Sequence, residues 1–379
     1  MTKVFRSVAW IPLLLALGGP VLCQEYTHVH PQDLNDGWEV GTLEEVGLDH
    51  DQVKDVICNL GYSQGTSDFR SLLVAREGKL VVEQYLNSYA VETIHDVRSA
   101  GKTFTGALVG IAIDRGLIDG VDERVLSFFV DRGESENPGQ GKEDITLEHL
   151  LTMSSGMAAD ANDRSSPGNE LQLKQAADFV QFVLDLPMQF VPGERYQYNS
   201  AAAYLAGAVV ETVSDQTLAE FADEHLFGPL KIRQYFWTQG PGGTTFGMGG
   251  LYLNARDFAK LGLLYLDGGL WRGKQVISKE WVEESLRSRF AIDQPPGLQT
   301  AYGRLWLVAS RTVFEQDFEV FYASGNGGNI LAIVPDLSLV VGIQQSAYGR
   351  GYPHFRAFSV IDGMIKAALI SDRRDEIRD

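Results

Sequence analysis

The segment at residues 97–117 has the sequence VRSAGKTFTGALVGIAIDRGL, which is apolar on nearly every side after residue 102. A helix with such a pattern is typically buried in a protein core. Ser99 and Lys102 are three residues apart, so on a helix their side chains lie on one face. The segment therefore predicts a buried helix that begins with a serine and a lysine side by side.

This pair has a chemical interpretation and a structural one. A serine hydroxyl is a weak nucleophile until a neighbouring base takes its proton. Burial disfavours the charged form of a lysine, and a lysine that loses its proton near neutral pH acts as a general base. Ser99 and Lys102 are therefore candidates for nucleophile and base. In the alternative, Ser99 caps the helix and Lys102 is a solvated side chain of its first turn.

Composition limits the classes of function. The chain has 379 residues, 44% of them hydrophobic, which is enough for a large core in one or two domains. Its formal charge is -18 and no basic cluster stands out, so we expect no nucleic-acid partner. Two cysteines cannot form a Cys-based metal site, and the spacing His-Glu-x-x-His is absent. We expect neither a metal nor an organic cofactor.

The first residues are typical of a secretory signal. Lys3 and Arg6 precede an apolar run at residues 8–17 that is too short to span a bilayer. We expect cleavage after Cys23 to remove residues 1–23 and to leave a periplasmic or secreted protein without stable membrane insertion. Lipid attachment at Cys23 is the alternative. If Cys23 is removed, Cys58 has no partner for an intramolecular disulfide.

The remaining sequence divides into strand-rich ends and a helical middle. A polar arm at residues 24–48 precedes a predicted hairpin at 70–86. Helical patterns occur at residues 147–153, 171–186, 201–213, 217–226, 255–266 and 279–288, and strand patterns at 302–309, 318–323, 329–334 and 339–345. Residues 355–370 are predicted to form a terminal helix.

These patterns predict an α+β fold. Distant segments form one antiparallel β-sheet flanked by N- and C-terminal helices, with a large all-helical lobe inserted. Within a domain at residues 49–379, we assign residues 49–105 and 290–379 to the sheet lobe and 106–289 to the helical lobe. Ser99 lies where the chain passes from sheet to helices, so it should face a cleft between the lobes, a common place for an active site.

Two further segments carry candidate residues. Residues 192–200 (PGERYQYNS) lead into a helix, and Tyr198 could assist proton transfer; an aromatic loop with Ser200 as helix cap is the alternative. Residues 323–329 (ASGNGGN) precede a strand, and backbone N–H groups near Gly325, Asn326 and Gly327 could stabilise an oxyanion. A glycine-rich turn is the alternative there. For the run at residues 247–250 we favour a structural role.

Ser63 is a rival nucleophile, because residues 61–65 (GYSQG) fit the letters of Gly-x-Ser-x-Gly. That motif requires a strand before the serine and a helix after it. Here a short helical pattern precedes Ser63 and a polar loop follows. We therefore predict that Ser63 is a loop residue.

The order Ser-x-x-Lys, Tyr-x-Ser and glycine-rich strand opening resembles the penicillin-recognising serine hydrolases. This group includes class C β-lactamases, D-Ala-D-Ala peptidases, family VIII carboxylesterases and 6-aminohexanoate-dimer hydrolase, and the last two are closest in pattern. The resemblance covers roughly residues 43–365 and is supported by the stretches at 145–157 and 249–262. It implies the β-lactamase/transpeptidase-like architecture, in agreement with the predicted two lobes.

The resemblance also implies roles for matching residues. Ser99 would be acylated, and Lys102 and Tyr198 would share general-base and general-acid work. Ser200 would hydrogen-bond the lysine or the substrate. Backbone N–H groups of Ser99 and of a residue near Asn326 would form the oxyanion hole.

One position departs from the family pattern. Members that act on β-lactams or cell-wall peptides often carry Lys-Thr-Gly beside the site, whereas this chain has Ala323-Ser324-Gly325. Losing a charge-assisted hydrogen bond to a substrate carboxylate costs about 1.5–3 kcal/mol. We therefore favour an exported serine hydrolase acting on a small ester or amide. A β-lactamase or D-Ala-D-Ala carboxypeptidase, and a non-catalytic penicillin-binding-like sensor, are the alternatives.

Overall fold

The computed structural model describes residues 27–62, 68–133, 135–139, 141–292, 300–350 and 353–376. Its strands are β1 (Glu39–Val40), β2 (Phe69–Arg76), β3 (Lys79–Tyr85), β4 (His95–Asp96), β5 (Tyr235–Trp237), β6 (Leu251–Leu253), β7 (Leu270–Trp271), β8 (Lys274–Gln275), β9 (Phe290–Ile292), β10 (Thr300–Tyr302), β11 (Leu307–Val313), β12 (Gln316–Gly325), β13 (Asn329–Val334) and β14 (Leu339–Gln345). Its helices are α1 (His50–Tyr62), α2 (Lys102–Asp114), α3 (Leu147–Leu151), α4 (Glu170–Leu173), α5 (Phe179–Leu184), α6 (Ser200–Ser214), α7 (Leu218–Ala222), α8 (Ala255–Leu266), α9 (Lys279–Leu286) and α10 (Pro353–Glu376).

The large sheet joins strands from both ends of the chain. In the described part of the chain its order is β1-β3-β2-β14-β13-β12-β11-β10-β9. Strand β1 pairs in parallel with β3, and the other neighbours pair antiparallel. The predicted α+β fold with a mostly antiparallel sheet is confirmed.

Helices cover both faces of this sheet. All residues of β13 and β14 are buried, as expected for continuous apolar runs bounded by turns. Helices α1 and α10 pack together and share one core with one face of the sheet. Helix α8 packs on the other face, against β2, β13 and β14. It does so although it lies in the range assigned to the helical lobe from the sequence.

Helix α2 is the centre of the second core. Every residue from Lys102 to Ala112 is buried, and the helix packs against α6, whose first turns are rich in alanine. A Cβ atom at Gly110 would lie 2.4 Å from the ring of Trp281, so a side chain there would clash. The buried helix predicted from the sequence is therefore present, and it begins at Lys102.

Two local expectations were wrong, and one small sheet was not predicted. The predicted helix at 171–186 is divided into α4 and α5, because the side chain of Asp178 caps a new helix by accepting from the N–H of Gln181. The predicted strand at 302–309 is divided between β10 and β11, because the chain turns at Leu305, which has a φ of 59°. The small sheet β4-β6-β5 was not predicted, since its strands have two or three residues each.

Some expectations fall outside the described residues. These are the signal at residues 1–23, with Cys23, and the rival nucleophile Ser63. Cys58 in α1 is disulfide-bonded; the expectation of no intramolecular disulfide applied only to a chain that has lost Cys23. Over the described ranges, no helix is both long and apolar enough to cross a membrane.

Arg256 connects α8 with the sheet and the N-terminal arm. Its side chain is 2% exposed, and its guanidinium pairs with Glu83 of β3 and with Asp36. The Arg256 Nε–Glu83 Oε1 distance is 2.7 Å. Removing one partner of a buried ion pair leaves an uncompensated charge.

We expect Arg256→Met to lower the free energy of unfolding by about 3–5 kcal/mol, measured by urea denaturation. Adding Glu83→Leu should restore part of this loss, because one unpaired carboxylate is then removed. Arg272→Met is the control, since its pair with Glu39 is exposed and should contribute about 1 kcal/mol or less. Equal losses of unfolding free energy in Arg256→Met and Arg272→Met would contradict the conclusion that the buried ion pairs of Arg256 stabilise the fold.

Candidate active site

Ser99 and Lys102 are in direct contact. Ser99 lies in a 3₁₀ turn, Arg98–Gly101, which leads into α2. The Nζ atom of Lys102 donates to the Oγ atom of Ser99 at 3.1 Å and to the carbonyl oxygen of Met248 at 2.6 Å. Lys102 is 2% exposed, so the alternative of a solvated lysine is wrong. The geometry is that of a hydroxyl beside a possible proton acceptor.

The turn that carries Ser99 is fixed by a buried carboxylate. Asp96, at the end of β4, accepts from the backbone N–H of Arg98 at 2.8 Å and pairs with Arg98 Nε at 3.1 Å. Arg98 has a φ of 56°, a conformation that few side chains adopt. The contact with Asp96 compensates this backbone strain immediately before the candidate nucleophile.

Tyr198 lies beside the pair. The Nζ atom of Lys102 is 5.2 Å from the centre of the Tyr198 ring. The carbonyl oxygen of Tyr198 accepts from the N–H of Ala161, and the next residue, Asn199, caps α6 through the N–H of Ala202. The structure thus brings together the three residues predicted to be catalytic.

Ser200 hydrogen-bonds a carboxylate and does not cap α6. The cap of α6 is Asn199, so the prediction that Ser200 caps this helix is wrong. The Oγ atom of Ser200 donates to Oε1 of Glu170 at 2.5 Å. Ser200 therefore contacts Glu170, which lines the site and was not predicted from the sequence.

Gly325 allows strand β12 to approach the turn that carries Ser99. A Cβ atom at this position would lie 2.1 Å from the carbonyl oxygen of Val97 and 3.2 Å from the amide nitrogen of Ala100. Asn326 and Ser99 line the same cavities. The N–H of Ser99 is in the first turn of a helical segment, where amides have no intrahelical acceptor. These features fit an oxyanion hole between the turn and the end of β12.

Gly327 also has a conformation that suits glycine. Its φ is 94°, and a Cβ atom there would lie 2.8 Å from the ring of Tyr348. The side-chain oxygen of Asn326 accepts from the N–H of Gly349, and its carbonyl oxygen accepts from Nδ2 of Asn329. The glycine-rich segment is thus a hydrogen-bonded turn that also borders the site, and stabilisation of an oxyanion by its N–H groups stays a prediction.

Two contributors escaped the sequence analysis. One is the carbonyl oxygen of Met248, in the run at 247–250 to which we assigned a structural role. The other is Glu170, the first residue of α4. Burial opposes ionisation of Glu170, but the positive charge of Lys102, the hydrogen bond from Ser200 and the ion pair with Lys174 hold its pKa below the usual range.

Two cavities meet at Ser99. The larger, of about 840 Å³, is lined by Lys102, Tyr198 and three further tyrosines, and we call it the aromatic cavity. The smaller, of about 550 Å³, extends toward β6. Ser99, Glu170, Lys174 and Asn326 line both. Over the described ranges, no group of three or more His, Cys, Asp or Glu side chains is placed to hold a metal ion.

The three further tyrosines keep their phenol groups neutral. They are Tyr196, Tyr302 and Tyr322, and burial raises the pKa of each well above its ordinary value. Their rings give this cavity an apolar wall with hydroxyl groups at its edges. Such a wall suits an uncharged or partly apolar substrate group.

The comparison with known families agrees with this geometry. Residues 69–355, most of the chain, match a family model described as Beta-lactamase. The chain belongs to the Beta-lactamase family. The predicted resemblance is thereby confirmed, and relatives of this chain are named as hydrolases, in agreement with the prediction of a serine hydrolase.

Two curated relatives give the scale of the similarity. The 6-aminohexanoate-dimer hydrolase of Paenarthrobacter ureafaciens is 29% identical over 230 residues, which are 57% of this chain and 56% of that protein. Protein flp of Staphylococcus aureus is 23% identical over 203 residues, 50% of this chain and 39% of that protein. The chain thus spans about half or less of these two relatives.

Solved structures share the fold. A family VIII carboxylesterase has a TM-score of 0.66 at 18% identity, covering 84% of this chain and 97% of that one. A penicillin-binding protein homologue from Caulobacter crescentus has a TM-score of 0.65 at 16% identity, with coverages of 84% and 97%. At such identities the likeness shows a common fold.

We expect Gly325→Ala to slow reaction of Ser99 with a fluorophosphonate by on the order of 10²-fold, because the clash with Val97 displaces the reacting groups. The measurement is the labelling rate, with unfolding temperature recorded in parallel. Gly120→Ala is the matched control, because nothing lies within 4 Å of a Cβ atom there. A normal labelling rate for Gly325→Ala would show that this close approach does not shape the site.

Proposed function

We propose that the protein is an exported serine hydrolase that cleaves small ester or amide bonds through an acyl-enzyme on Ser99. The observation that carries the proposal is the 3.1 Å contact between Ser99 Oγ and the buried Lys102 Nζ, with Tyr198 beside it. Membership of the Beta-lactamase family supports it. Export rests on the signal pattern at residues 1–23.

The proposed reaction has two steps. Ser99 Oγ attacks the carbonyl carbon of the substrate, and its proton passes to Lys102 or Tyr198. The carbonyl oxygen of the substrate becomes negatively charged and is stabilised by the backbone N–H groups of Ser99 and of a residue near Asn326. The carbon–leaving-group bond breaks and the leaving alcohol or amine takes the proton. Water then attacks the ester, and the acid and free Ser99 are released.

The end of β12 bears on the choice of substrate. Ala323, at the position of the lysine in Lys-Thr-Gly, is buried, and Ser324, at the position of the threonine, lines the aromatic cavity, so this strand offers a hydroxyl but no cation. The tyrosine-lined wall also favours an uncharged group. We therefore favour esters and linear amides over β-lactams and D-Ala-D-Ala peptides.

The nucleophile is tested by covalent labelling. Incubation with a fluorophosphonate should add one adduct to the wild-type protein and to Ser63→Ala, read by intact mass. Ser99→Ala should gain none, because it lacks the attacking hydroxyl. An adduct on Ser99→Ala equal to that of the wild type would show that another residue is the nucleophile. No adduct on the wild type would refute the assignment and favour the sensor alternative.

The substrate class is tested by a panel on the same protein. We expect turnover of p-nitrophenyl esters of short acids, with little turnover of a chromogenic cephalosporin or of D-Ala-D-Ala peptides. Ser99→Ala is the control for spontaneous hydrolysis. Turnover of the cephalosporin but not of the esters would reverse the preference for the ester branch.

A further inference from the structure

The immediate contacts of Lys102 are uncharged. Its Nζ atom contacts the hydroxyl of Ser99, the carbonyl oxygen of Met248 and the face of the Tyr198 ring. A buried ammonium group is unfavourable unless an opposite charge compensates it. Among the described residues that line the aromatic cavity, Glu170 is the only acidic one. It is therefore the available counter-charge.

Glu170 is held in place from two sides. Its Oε1 atom accepts from Ser200 Oγ at 2.5 Å, at the first residue of α6. Its Oε2 atom lies 3.6 Å from Lys174 Nζ, one turn further along the chain. Asn169, just before it, caps α4 and is buried. The carboxylate is thus fixed at the junction of the two cavities rather than mobile in solvent.

We propose that Glu170 is a positioning residue that acts as the counter-charge of Lys102 and sets the pH at which Ser99 becomes reactive. This inference rests on the proposed function, because it concerns the activation of Ser99. Glu170 takes no proton from Ser99 and touches no reacting bond. It acts through its charge on the groups that do.

The direction of the effect follows from electrostatics. If Lys102 takes the proton of Ser99, it must first be neutral; if Tyr198 takes it, the phenol must first be ionised. A nearby negative charge disfavours both deprotonated forms. The acid limb of the activity profile is the pH range over which activity rises as the pH increases from acid values. The carboxylate of Glu170 therefore moves this limb to higher pH, and its removal moves the limb to lower pH.

Other charged groups face the same space. Arg98, Arg164 and Lys174 are the other cations that line the cavities, and Asp96 is paired with Arg98. Among these, Lys174 forms an ion pair with Glu170. Removing Lys174 leaves the charge of Glu170 less compensated, so its effect on the acid limb should oppose that of removing Glu170.

Neutral titratable groups also line the aromatic cavity. The three tyrosines Tyr196, Tyr302 and Tyr322 stay protonated over the relevant range, since burial raises the pKa of each. His354 of α10 is also titratable, and burial lowers its pKa. The experiment must therefore separate His354 from the pair formed by Lys102 and Ser99.

The test is the pH dependence of the rate at which a fluorophosphonate labels Ser99, with kcat/KM for p-nitrophenyl acetate as the second readout. Glu170→Gln should move the acid-limb midpoint to lower pH by roughly one unit. Glu170→Asp, which keeps the charge, should stay close to the wild type. Lys174→Met should move the midpoint to higher pH.

Two controls accompany these variants. Glu194→Gln removes an exposed carboxylate that is paired with Arg195 and does not line the cavities, so it should leave the midpoint unchanged. His354→Asn should leave the shift caused by Glu170→Gln intact. Loss of that shift in the His354→Asn background would overturn the proposal.

The outcomes separate this inference from the proposed function. Absence of labelling in the wild type refutes both. If the wild type is labelled but the midpoint of Glu170→Gln equals that of the wild type, the proposed function stands and only the role of Glu170 is refuted. This holds even if Glu170→Gln is labelled more slowly. If Glu170→Gln does not fold, Lys174→Met decides: a midpoint that stays or moves to lower pH contradicts the proposal.

Discussion

The hydrogen bond between Lys102 Nζ and Ser99 Oγ is the interaction on which the rest of the site depends. It requires a lysine at the buried start of α2, where its Nζ atom also contacts the carbonyl oxygen of Met248. It requires a turn strained at Arg98 and fixed by Asp96. The end of β12 packs closely against the same turn, and only a glycine at position 325 allows this contact, because a Cβ atom there would clash with Val97. Two sheets and the start of one helix thus meet at the hydroxyl of Ser99.

Much of the architecture could be predicted from the sequence because some strands are continuous apolar runs between turns. The bounds predicted for residues 329–334 and 339–345 are those of β13 and β14. These strands are buried on both faces, so hydrophobicity alone marks them. The predicted proximity of Ser99, Lys102 and Tyr198 also came from motif order, since a spacing of three residues fixes one pair and the family resemblance adds the third.

The remaining features depend on contacts between distant segments. The contact between Met248 and Lys102 involves a backbone carbonyl, and every residue type has one, so the sequence cannot indicate this contact. Glu170 begins a four-residue helix, and in the sequence it resembles any acidic residue at a helix start. Its role depends on the hydrogen bond from Ser200 and on the charge of Lys102, and these two residues belong to other helices. The family resemblance predicts that Ser200 hydrogen-bonds the lysine or the substrate, but it could not show that the Glu170 carboxylate receives a hydrogen bond from Ser200.

The central claim is that Lys102 activates Ser99, and its most direct test is the labelling rate of a Lys102→Met variant. Met keeps the length and apolar stem of the side chain, so circular dichroism and unfolding temperature should stay close to those of the wild type. At pH 8, fluorophosphonate labelling of Ser99 should be slower by on the order of 10²–10⁴-fold, the usual contribution of a general base. A folded Lys102→Met protein that labels at the wild-type rate would contradict the account.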